Sequence, residues 1–194
     1  HSLGAHYTSE ENILKLIHPL FLDELWKEFD EYKKQVSGAR IKNLNGLHTK
    51  IASLKFLDPA CGSGNFLTET YLSLRRLENR CIAARFSGQA LMGDFENPIC
   101  VKIDNFYGIE INDFAAVVAK TALWIAESQM MNETARILGR NLDFLPLKSY
   151  ANIVEGNALQ LDWESVVPKS ALHYIMGNPP FVGRRYREKE QQQE

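Results

Sequence analysis

Long apolar runs are missing from this sequence of 194 residues, and so is a strong excess of charge of one sign. No stretch contains the ~20 apolar residues that a membrane-spanning helix needs, and no basic segment followed by an apolar run opens the chain as in a secretory signal. The 22 basic residues nearly balance the 24 acidic ones, whereas a dedicated nucleic-acid-binding module is usually strongly basic. We therefore expect a cytoplasmic protein with no membrane partner. Any contact with nucleic acid would use a local patch or other parts of a longer chain.

Cysteine is sparse as well. Cys61, Cys81 and Cys100 lie far apart, and none has the C-x-x-C spacing typical of zinc sites and dithiol redox motifs. Such a set suits a reducing compartment. The sequence therefore predicts no metal centre, and we interpret Cys61 as a small packed residue.

What is present is the pattern of an α/β protein. Hydrophobic residues make up 45% of the chain, which excludes a mainly disordered protein. Apolar residues at helical spacing predict helices around residues 13–29, 47–53, 66–77 and 113–130, with a break at Pro19 and a helix end at Gly38. Short apolar runs predict strands at residues 54–57, 106–111, 152–155 and 172–176. Strands that alternate with helices favour a parallel sheet and hence an α/β fold.

A glycine-containing turn follows the first predicted strand. The segment from Asp58 to Gly64 reads Asp-Pro-Ala-Cys-Gly-Ser-Gly, and helical periodicity resumes directly after it. Gly62 and Gly64 allow a tight turn and a close approach to a ligand, and the amino end of the next helix favours a negative group. Position 67 is Leu67, whereas a dinucleotide-binding fingerprint requires a third glycine there. The loop by itself indicates either a structural turn or a ligand-binding loop.

Polar residues also follow two other predicted strands. Glu110 ends the second strand, where a carboxylate can accept hydrogen bonds from both hydroxyl groups of a ribose. The last strand leads into Asn178-Pro179-Pro180-Phe181. The prolines fix the backbone and remove two N–H donors, so the Asn178 side chain and the Pro179 carbonyl offer acceptors beside an aromatic ring. Such a loop suits a planar group with an exocyclic amino group, and a rigid turn is the alternative interpretation.

Four arginines follow the glycine loop on the next predicted helix. They are Arg75, Arg76, Arg80 and Arg85. We interpret them as a solvated helix face rather than as a phosphate-binding stripe.

Together these motifs resemble those of S-adenosylmethionine-dependent DNA adenine-N6 methyltransferases. The glycine loop at 58–64 and the Asn-Pro-Pro-Phe loop at 178–181 occur in the order of that family, and His6-Tyr7-Thr8-Ser9 resembles its N-terminal cofactor motif. The order of the motifs, with a cofactor motif ahead of the glycine loop, resembles that of the gamma class of these enzymes. Segments 3–9, 74–79 and 106–110 further resemble the methyltransferase region of MmeI-like Type IIG/IIL restriction–modification enzymes. In those enzymes one polypeptide carries endonuclease, methyltransferase and target-recognition regions.

The resemblance implies S-adenosylmethionine as the cofactor. The residues matched to cofactor contacts are His6, Tyr7, Thr8, Asp58, Ala60, Gly62, Gly64, Glu110, Ile111 and Asn157. The first three would line the methionine end, and the four loop residues would surround the cofactor. Glu110 would hold the ribose hydroxyls and Ile111 would pack on the adenine of the cofactor. Asn157 would contact the amino group of that adenine, at a position where the family often has aspartate.

The resemblance also implies the catalytic residues Asn178, Pro179, Pro180 and Phe181. A target adenine would leave the double-stranded DNA and stack on Phe181, because its amino group cannot be reached inside the duplex. Acceptors from Asn178 and Pro179 would bind the two amino hydrogens, so that the nitrogen attacks the methyl group in line. No metal and no general-base histidine would be needed.

The family order predicts how the chain is organised. Residues 1–53 would form an N-terminal helical segment with the cofactor motif, residues 54–183 the cofactor-binding half of the methyltransferase domain with the catalytic loop, and residues 184–194 a polar tail. We expect a partial Rossmann-like sheet of about four strands from a longer protein. The last strand would have an uncovered edge, which predicts self-association or coverage by the tail. Little or no methyl transfer is expected from these 194 residues alone.

Three other functions stay open at this point. Methylation of cytosine N4 in DNA uses a similar loop, and methylation of a glutamine side chain in a translation factor uses Asn-Pro-Pro-Tyr. The third possibility is a non-catalytic remnant that binds the cofactor or structures a larger enzyme.

Overall fold

The computed structural model of the chain describes residues 8–86, 98–139 and 152–179. The helices in these ranges are α1 (Glu10–Ile17), α2 (Asp23–Lys33), α3 (Ser37–Ser53), α4 (Asn65–Phe86) and α5 (Asp113–Leu138). The strands are β1 (Phe56–Asp58), β2 (Phe106–Glu110), β3 (Asn152–Glu155) and β4 (Tyr174–Ile175). A π-helical turn at His18–Leu22 joins α1 to α2, and short 3-10 helices at Ile103–Asn105 and Trp163–Ser165 precede β2 and β4. Within the same ranges, no helix has both the length and the apolar character needed to cross a membrane.

The four strands form one parallel sheet in the order β3-β2-β1-β4. Phe56 of β1 lies opposite Phe106 of β2 on one side and Tyr174 of β4 on the other. β3 pairs with β2, where Asn152 lies opposite Tyr107. Because the strands are parallel, their carboxyl ends share one edge of the sheet, which is where ligands bind in open α/β folds.

The two faces of the sheet pack against different layers. The rings of Phe56 and Phe106 stack at 5.3 Å in a core that contains the buried residues of all five described helices. The next residue of β1, Leu57, points to the opposite face because side chains alternate along a strand. There it packs with Ile109 and with Val167, from the segment that follows β3.

The N-terminal helices differ from the sequence prediction in two places. The predicted break at Pro19 falls in the π-helical turn, as expected for a residue without a backbone N–H. The predicted helix end at Gly38 is wrong, because α2 ends at Lys33 and Gly38 lies in the first turn of α3. α3 also begins ten residues before the predicted start at 47. The packing of its buried residues Leu44, Leu47, His48 and Ile51 stabilises α3. This packing outweighs the low helix propensity of the glycine in its first turn.

Helix α5 is longer than predicted. Asn112 caps its start, because the side-chain oxygen accepts a hydrogen bond of 2.9 Å from the N–H of Ala115. The predicted end near Met130 is wrong, since buried Thr134 and Leu138 continue the same face for two more turns. Gly139 ends the helix in a left-handed conformation with a φ of 64°.

Candidate active site

The glycine loop turns directly from β1 into α4. Its backbone is tied to β2, because the N–H of Cys61 donates to the carbonyl of Ile109 at 3.0 Å. Gly62 and Gly64 have φ values of 53° and 81°, which side-chain-bearing residues rarely adopt. A Cβ at Gly64 would lie 2.9 Å from the Cβ of Ala119 in α5, whereas a Cβ at Gly62 would meet nothing within 4 Å. Gly64 therefore serves helix packing, and Gly62 leaves the space above the loop open.

Glu110 connects the glycine loop to the end of β2. One carboxylate oxygen accepts a hydrogen bond of 2.8 Å from the N–H of Gly62, and the other accepts one of 2.9 Å from the N–H of Asn112. A carboxylate has about four acceptor positions. Two of them have partners among the described residues, and the other two have none there. This half-buried carboxylate therefore has acceptor capacity beyond the bonds that tie β2 to the glycine loop.

Asp58 is the last residue of β1 and lies beside the segment that follows β4. Its side chain is 1% exposed, and one oxygen accepts a hydrogen bond of 3.0 Å from the N–H of Ala60. Burial raises the pKa of Asp58 to about 7, against the lowering effect of the Ala60 hydrogen bond, and the nearby Glu110 carboxylate raises it further. Gly177 lies so close that a Cβ there would be 2.3 Å from the Asp58 carboxylate. The first and last strands thus meet at this carboxyl group.

Asn178 and Pro179 follow β4 at the same edge, and both are exposed. The side-chain N–H of Asn178 donates a hydrogen bond of 3.2 Å to the hydroxyl oxygen of Thr8. Thr8 and Glu11 have the spacing of a capping box, but α1 begins at Glu10 with Ser9 at its N-cap and has no side-chain cap. Thr8 instead contacts the Asn-Pro-Pro-Phe loop, and the side-chain oxygen of Asn178 has no partner in the described ranges.

Two further predicted residues flank the end of β2. Ile111 is 69% exposed and follows Glu110, so it offers apolar surface beside the carboxylate. Asn157 lies just after β3. The preceding N–H of Gly156 donates a hydrogen bond of 2.9 Å to the backbone carbonyl of Glu110, which ties the end of β3 to the end of β2. The Asn157 side-chain oxygen accepts a hydrogen bond of 3.0 Å from the N–H of Leu159. Part of its acceptor capacity is therefore used within its own turn.

The structure brings most of the predicted site residues to one edge of the sheet. Those at or next to the carboxyl ends of the four strands are Thr8, Asp58, Ala60, Gly62, Gly64, Glu110, Ile111, Asn157, Asn178 and Pro179. The other four predicted residues lie outside the described residues; they are His6, Tyr7, Pro180 and Phe181.

The prediction of a solvated face is wrong for one of the four arginines of α4. Arg75, interpreted as part of a solvated face, is 0% exposed and forms an ion pair with the equally buried Glu78. Arg75 also donates to the hydroxyl of Thr134 at 2.9 Å, which ties α4 to α5. Of the other three arginines, Arg76 and Arg80 are exposed, as predicted, and Arg85 is half-buried. A glutamate three residues after Arg75 on the same helix was the available signal for this pair.

The carboxylate of Glu78 accepts hydrogen bonds from several donors besides Arg75. His48 donates from Nε2 at 2.6 Å, and the N–H groups of Cys100 and Val101 donate at 2.7 and 3.0 Å to the same oxygen. Burial opposes ionisation of Glu78, but the His48 hydrogen bond and the Arg75 charge outweigh it and hold the pKa below its ordinary value.

The same cluster has the residue types of a metal site. The ligand atoms of His48, Glu78 and Cys100 lie within 4.8 Å of one another. Two of these three residues nevertheless contact an arginine. Arg75 pairs with Glu78, and Arg85 donates a hydrogen bond of 3.2 Å to Nδ1 of His48. Two adjacent guanidinium groups oppose the binding of a cation, so the cluster is better explained as a structural network.

The parallel sheet, the glycine loop and the acidic end of β2 define a partial Rossmann-like methyltransferase fold. The solved Type IIL restriction–modification enzyme MmeI in complex with DNA matches this structure with a TM-score of 0.89 and 44% identity, over 98% of this chain and 25% of that one. Residues 31–194 match the family described as "MmeI, DNA-methyltransferase domain". The chain belongs to this family.

Two curated proteins are also similar to the chain. DNA methyltransferase A of Bacillus subtilis (strain 168) is 43% identical over 97% of this chain and 21% of its own length. The adenine-specific methyltransferase BrxX of Escherichia coli O9:H4 (strain HS) is 34% identical over 64% of this chain and 9% of its own length. The chain thus spans about a quarter or less of the proteins that it matches.

Proposed function

We propose that this chain forms the cofactor-binding and catalytic part of a DNA methyltransferase that transfers a methyl group from S-adenosylmethionine to N6 of adenine. The larger protein would be an MmeI-like restriction–modification enzyme acting on double-stranded DNA. The observation that carries the proposal is the meeting of Thr8, Glu110 and Asn178 with the glycine loop at one edge of the sheet. The adenine-specific relative BrxX supports adenine as the target base.

The described residues fit the cofactor. The space above Gly62 is open, and two acceptor positions of Glu110 are left for the ribose hydroxyls. Ile111 offers an exposed apolar surface for the adenine ring, and Thr8 lies beside the catalytic loop for the methionine end. When bound, the cofactor supplies an electrophilic methyl group on a sulfonium sulfur.

The catalytic loop acts on the target base. The side-chain oxygen of Asn178 and the carbonyl of Pro179 accept hydrogen bonds from the exocyclic amino group, which makes its nitrogen less conjugated with the ring. Phe181 stacks on the base once it has left the duplex. Much of the rate then comes from holding the nitrogen in line with the methyl group and from dipoles placed where positive charge develops.

Product analysis of the full-length polypeptide tests this function. The protein is incubated with labelled S-adenosylmethionine and with duplex DNA or a translation-factor protein, and the methylated product is identified by mass. We expect N6-methyladenine in DNA. N4-methylcytosine, methylglutamine, or cofactor binding without turnover would each contradict the proposal and point to one of the three alternative functions.

Two substitutions assign the roles. Asn178→Ala is expected to lower the turnover number on the order of 100-fold, as for loss of one group that stabilises developing charge, with cofactor affinity unchanged. Glu110→Ala is expected to weaken cofactor binding in a calorimetric titration. Asn12→Ala, which changes an exposed asparagine of α1, is the control and should leave both quantities unaltered.

The 194 residues on their own are proposed to transfer little or no methyl group, because base flipping and site recognition need other parts of the protein. Equal turnover by this chain and by the full-length polypeptide would contradict this part of the proposal.

A further inference from the structure

A second concave site lies among the helices, away from the strand ends. Its volume is about 290 Å³, and it is open to solvent on one side. α2, α3 and α4 contribute its walls, and the lining residues are Phe29, Lys33, Arg40, Arg80, Ala83 and Ala84. Three of these six side chains are cations, and none of the described lining residues is a carboxylate.

Among the described residues, the three cations lack the carboxylate partners that other basic residues of the same helices have. Lys50 of α3 pairs with Glu28 at 2.5 Å, and Arg76 of α4 pairs with Glu69 at 3.1 Å. In the described part of the chain, no ion pair includes Lys33, Arg40 or Arg80. Like charges around one small cavity repel one another, and an anion bound among them would relieve that repulsion.

Arg40 is the most buried of the three cations. The residue is half-buried, and its Nε is buried without a hydrogen-bond partner among the described residues. An unsatisfied buried donor on a charged group is costly, which is why such groups normally have an acceptor. The ammonium of Lys33 lies 5.9 Å from the ring centroid of Phe29, on the aromatic wall of the same pocket.

We propose that this pocket binds a phosphate group through Lys33, Arg40 and Arg80. A guanidinium group can donate two parallel N–H bonds to a phosphate, and a lysine adds a point charge. The apolar walls formed by Phe29 and the two alanines keep water from part of the site, which strengthens these charge-assisted bonds. The phosphate belongs either to a DNA backbone or to a free phosphorylated small molecule.

The pocket is distinct from the site at the strand ends. Arg80 lies about 22 Å along α4 from Asn65, which adjoins the glycine loop, at 1.5 Å per residue. A length of about 22 Å equals about 6 base-pair steps at 3.4 Å per step, which sets the scale for choosing the duplex lengths if the phosphate belongs to DNA. This DNA version rests on the proposed function, whereas phosphate binding itself does not.

The first test uses the full-length polypeptide and inorganic phosphate, titrated at constant ionic strength with chloride as the balancing anion. We expect saturable binding by calorimetry, weakened about tenfold or more in Lys33→Gln and in Arg40→Gln. Lys27→Gln removes an exposed lysine from α2 outside the pocket and should bind phosphate like the wild type. Lys33 is exposed, so its substitution tests the pocket even if Arg40→Gln lowers the stability of the fold.

The second test measures DNA affinity across salt concentrations for a long duplex and for duplexes shortened stepwise on either side of the target base. If the phosphate comes from DNA, each pocket variant lowers the salt slope on the long duplex by about 1 and has no effect once the duplex is too short to reach the pocket. Phosphate binding with unchanged DNA affinity assigns the pocket to a small molecule.

The proposal is overturned if both pocket variants match Lys27→Gln in both tests. A carboxylate of the longer polypeptide seated in the pocket would give that result. Absence of adenine methylation by the wild type would instead count against the proposed function, and it would leave the phosphate titration as a valid test of the pocket.

Discussion

The hydroxyl group of Thr8 accepts a hydrogen bond of 3.2 Å from the side-chain amide of Asn178, although the two residues are 170 positions apart in the sequence. The first belongs to the segment matched to the cofactor and the second to the loop matched to catalysis. In this arrangement the side-chain oxygen of Asn178 has no partner among the described residues. We expect Thr8 to help hold the amide in this orientation, with the oxygen available as the acceptor that the proposed function requires.

Thr8→Val should lower the turnover number of the full-length enzyme by up to about tenfold, the equivalent of one lost hydrogen bond. Thr8→Ser keeps the hydroxyl group and should restore most of the rate. Single-turnover methylation assays give these values. With saturating S-adenosylmethionine, which removes any effect of Thr8 on cofactor binding, the Thr8→Val effect should vanish in an Asn178→Ala background, and a full effect there would show that Thr8 acts elsewhere.

Gly177→Ala should displace the catalytic loop, because its Cβ would lie 2.3 Å from the Asp58 carboxylate. We expect a loss of stability of about 1–3 kcal/mol, as for overpacking of a filled core, measured by chemical denaturation. Gly46→Ala in α3 is the matched control. Nothing lies within 4 Å of its new Cβ, so this change should stabilise the helix by about 0.5–1 kcal/mol. Equal effects at the two glycines would refute the close approach of Gly177 to Asp58.

The raised pKa of Asp58 predicts a pH dependence of stability. With a pKa of about 7 in the folded chain against an ordinary value of 3.8, the folded state keeps a proton that the unfolded state has released. The contribution of Asp58 to stability is therefore full below the unfolded pKa and is lost as the pH rises through the folded pKa. Between about pH 5 and about pH 8, the wild type should lose on the order of 2 kcal/mol more than Asp58→Asn, which cannot titrate.

Denaturation curves at these two pH values measure that difference. Asp30→Asn, which changes an exposed aspartate of α2, should follow the wild type. If Asp58→Asn also follows the wild type, Asp58 is not the titrating group.

Arg75→Met should destabilise the chain by about 3–5 kcal/mol, because it leaves the Glu78 carboxylate buried without its cation. Arg76→Met, one residue further along, breaks a pair whose arginine side chain is 46% exposed and should cost less than about 1 kcal/mol. Denaturant unfolding of both variants gives the comparison. Similar losses in the two would argue against a buried role for the Arg75–Glu78 pair.

The outer edge of β4 is expected to pair with a second copy of the chain or to be covered by the chain's own tail. β4 pairs only with β1 among the described strands, and its Ile175 is 55% exposed. Light scattering should show association that rises with concentration and weakens in Ile175→Lys. Ile137→Lys on α5, also at an exposed isoleucine, is the control. A monomer at all concentrations with an accessible edge would contradict both versions.

Several parts of the fold follow from short stretches of sequence. The strand-to-glycine-loop turn at 58–64 and the cap at Asn112 depend on neighbouring residues, so local patterns are enough to predict such features. Helix ends were predicted less well at Gly38 and near Met130. There the deciding contacts come from buried side chains such as Ile51 and Leu138, which pack against other elements.

The α/β class, the order of the strands along the chain and the motifs of the MmeI-like methyltransferase family can be recognised in the sequence, because each depends on residues that are close together in the chain. The contacts between these motifs cannot be recognised in that way. The hydrogen bonds from Asn178 to Thr8, from Gly62 to Glu110 and from Arg75 to Thr134 each join residues that are far apart in the sequence. Such contacts form only when the helices and strands pack in three dimensions, and no local pattern specifies that packing.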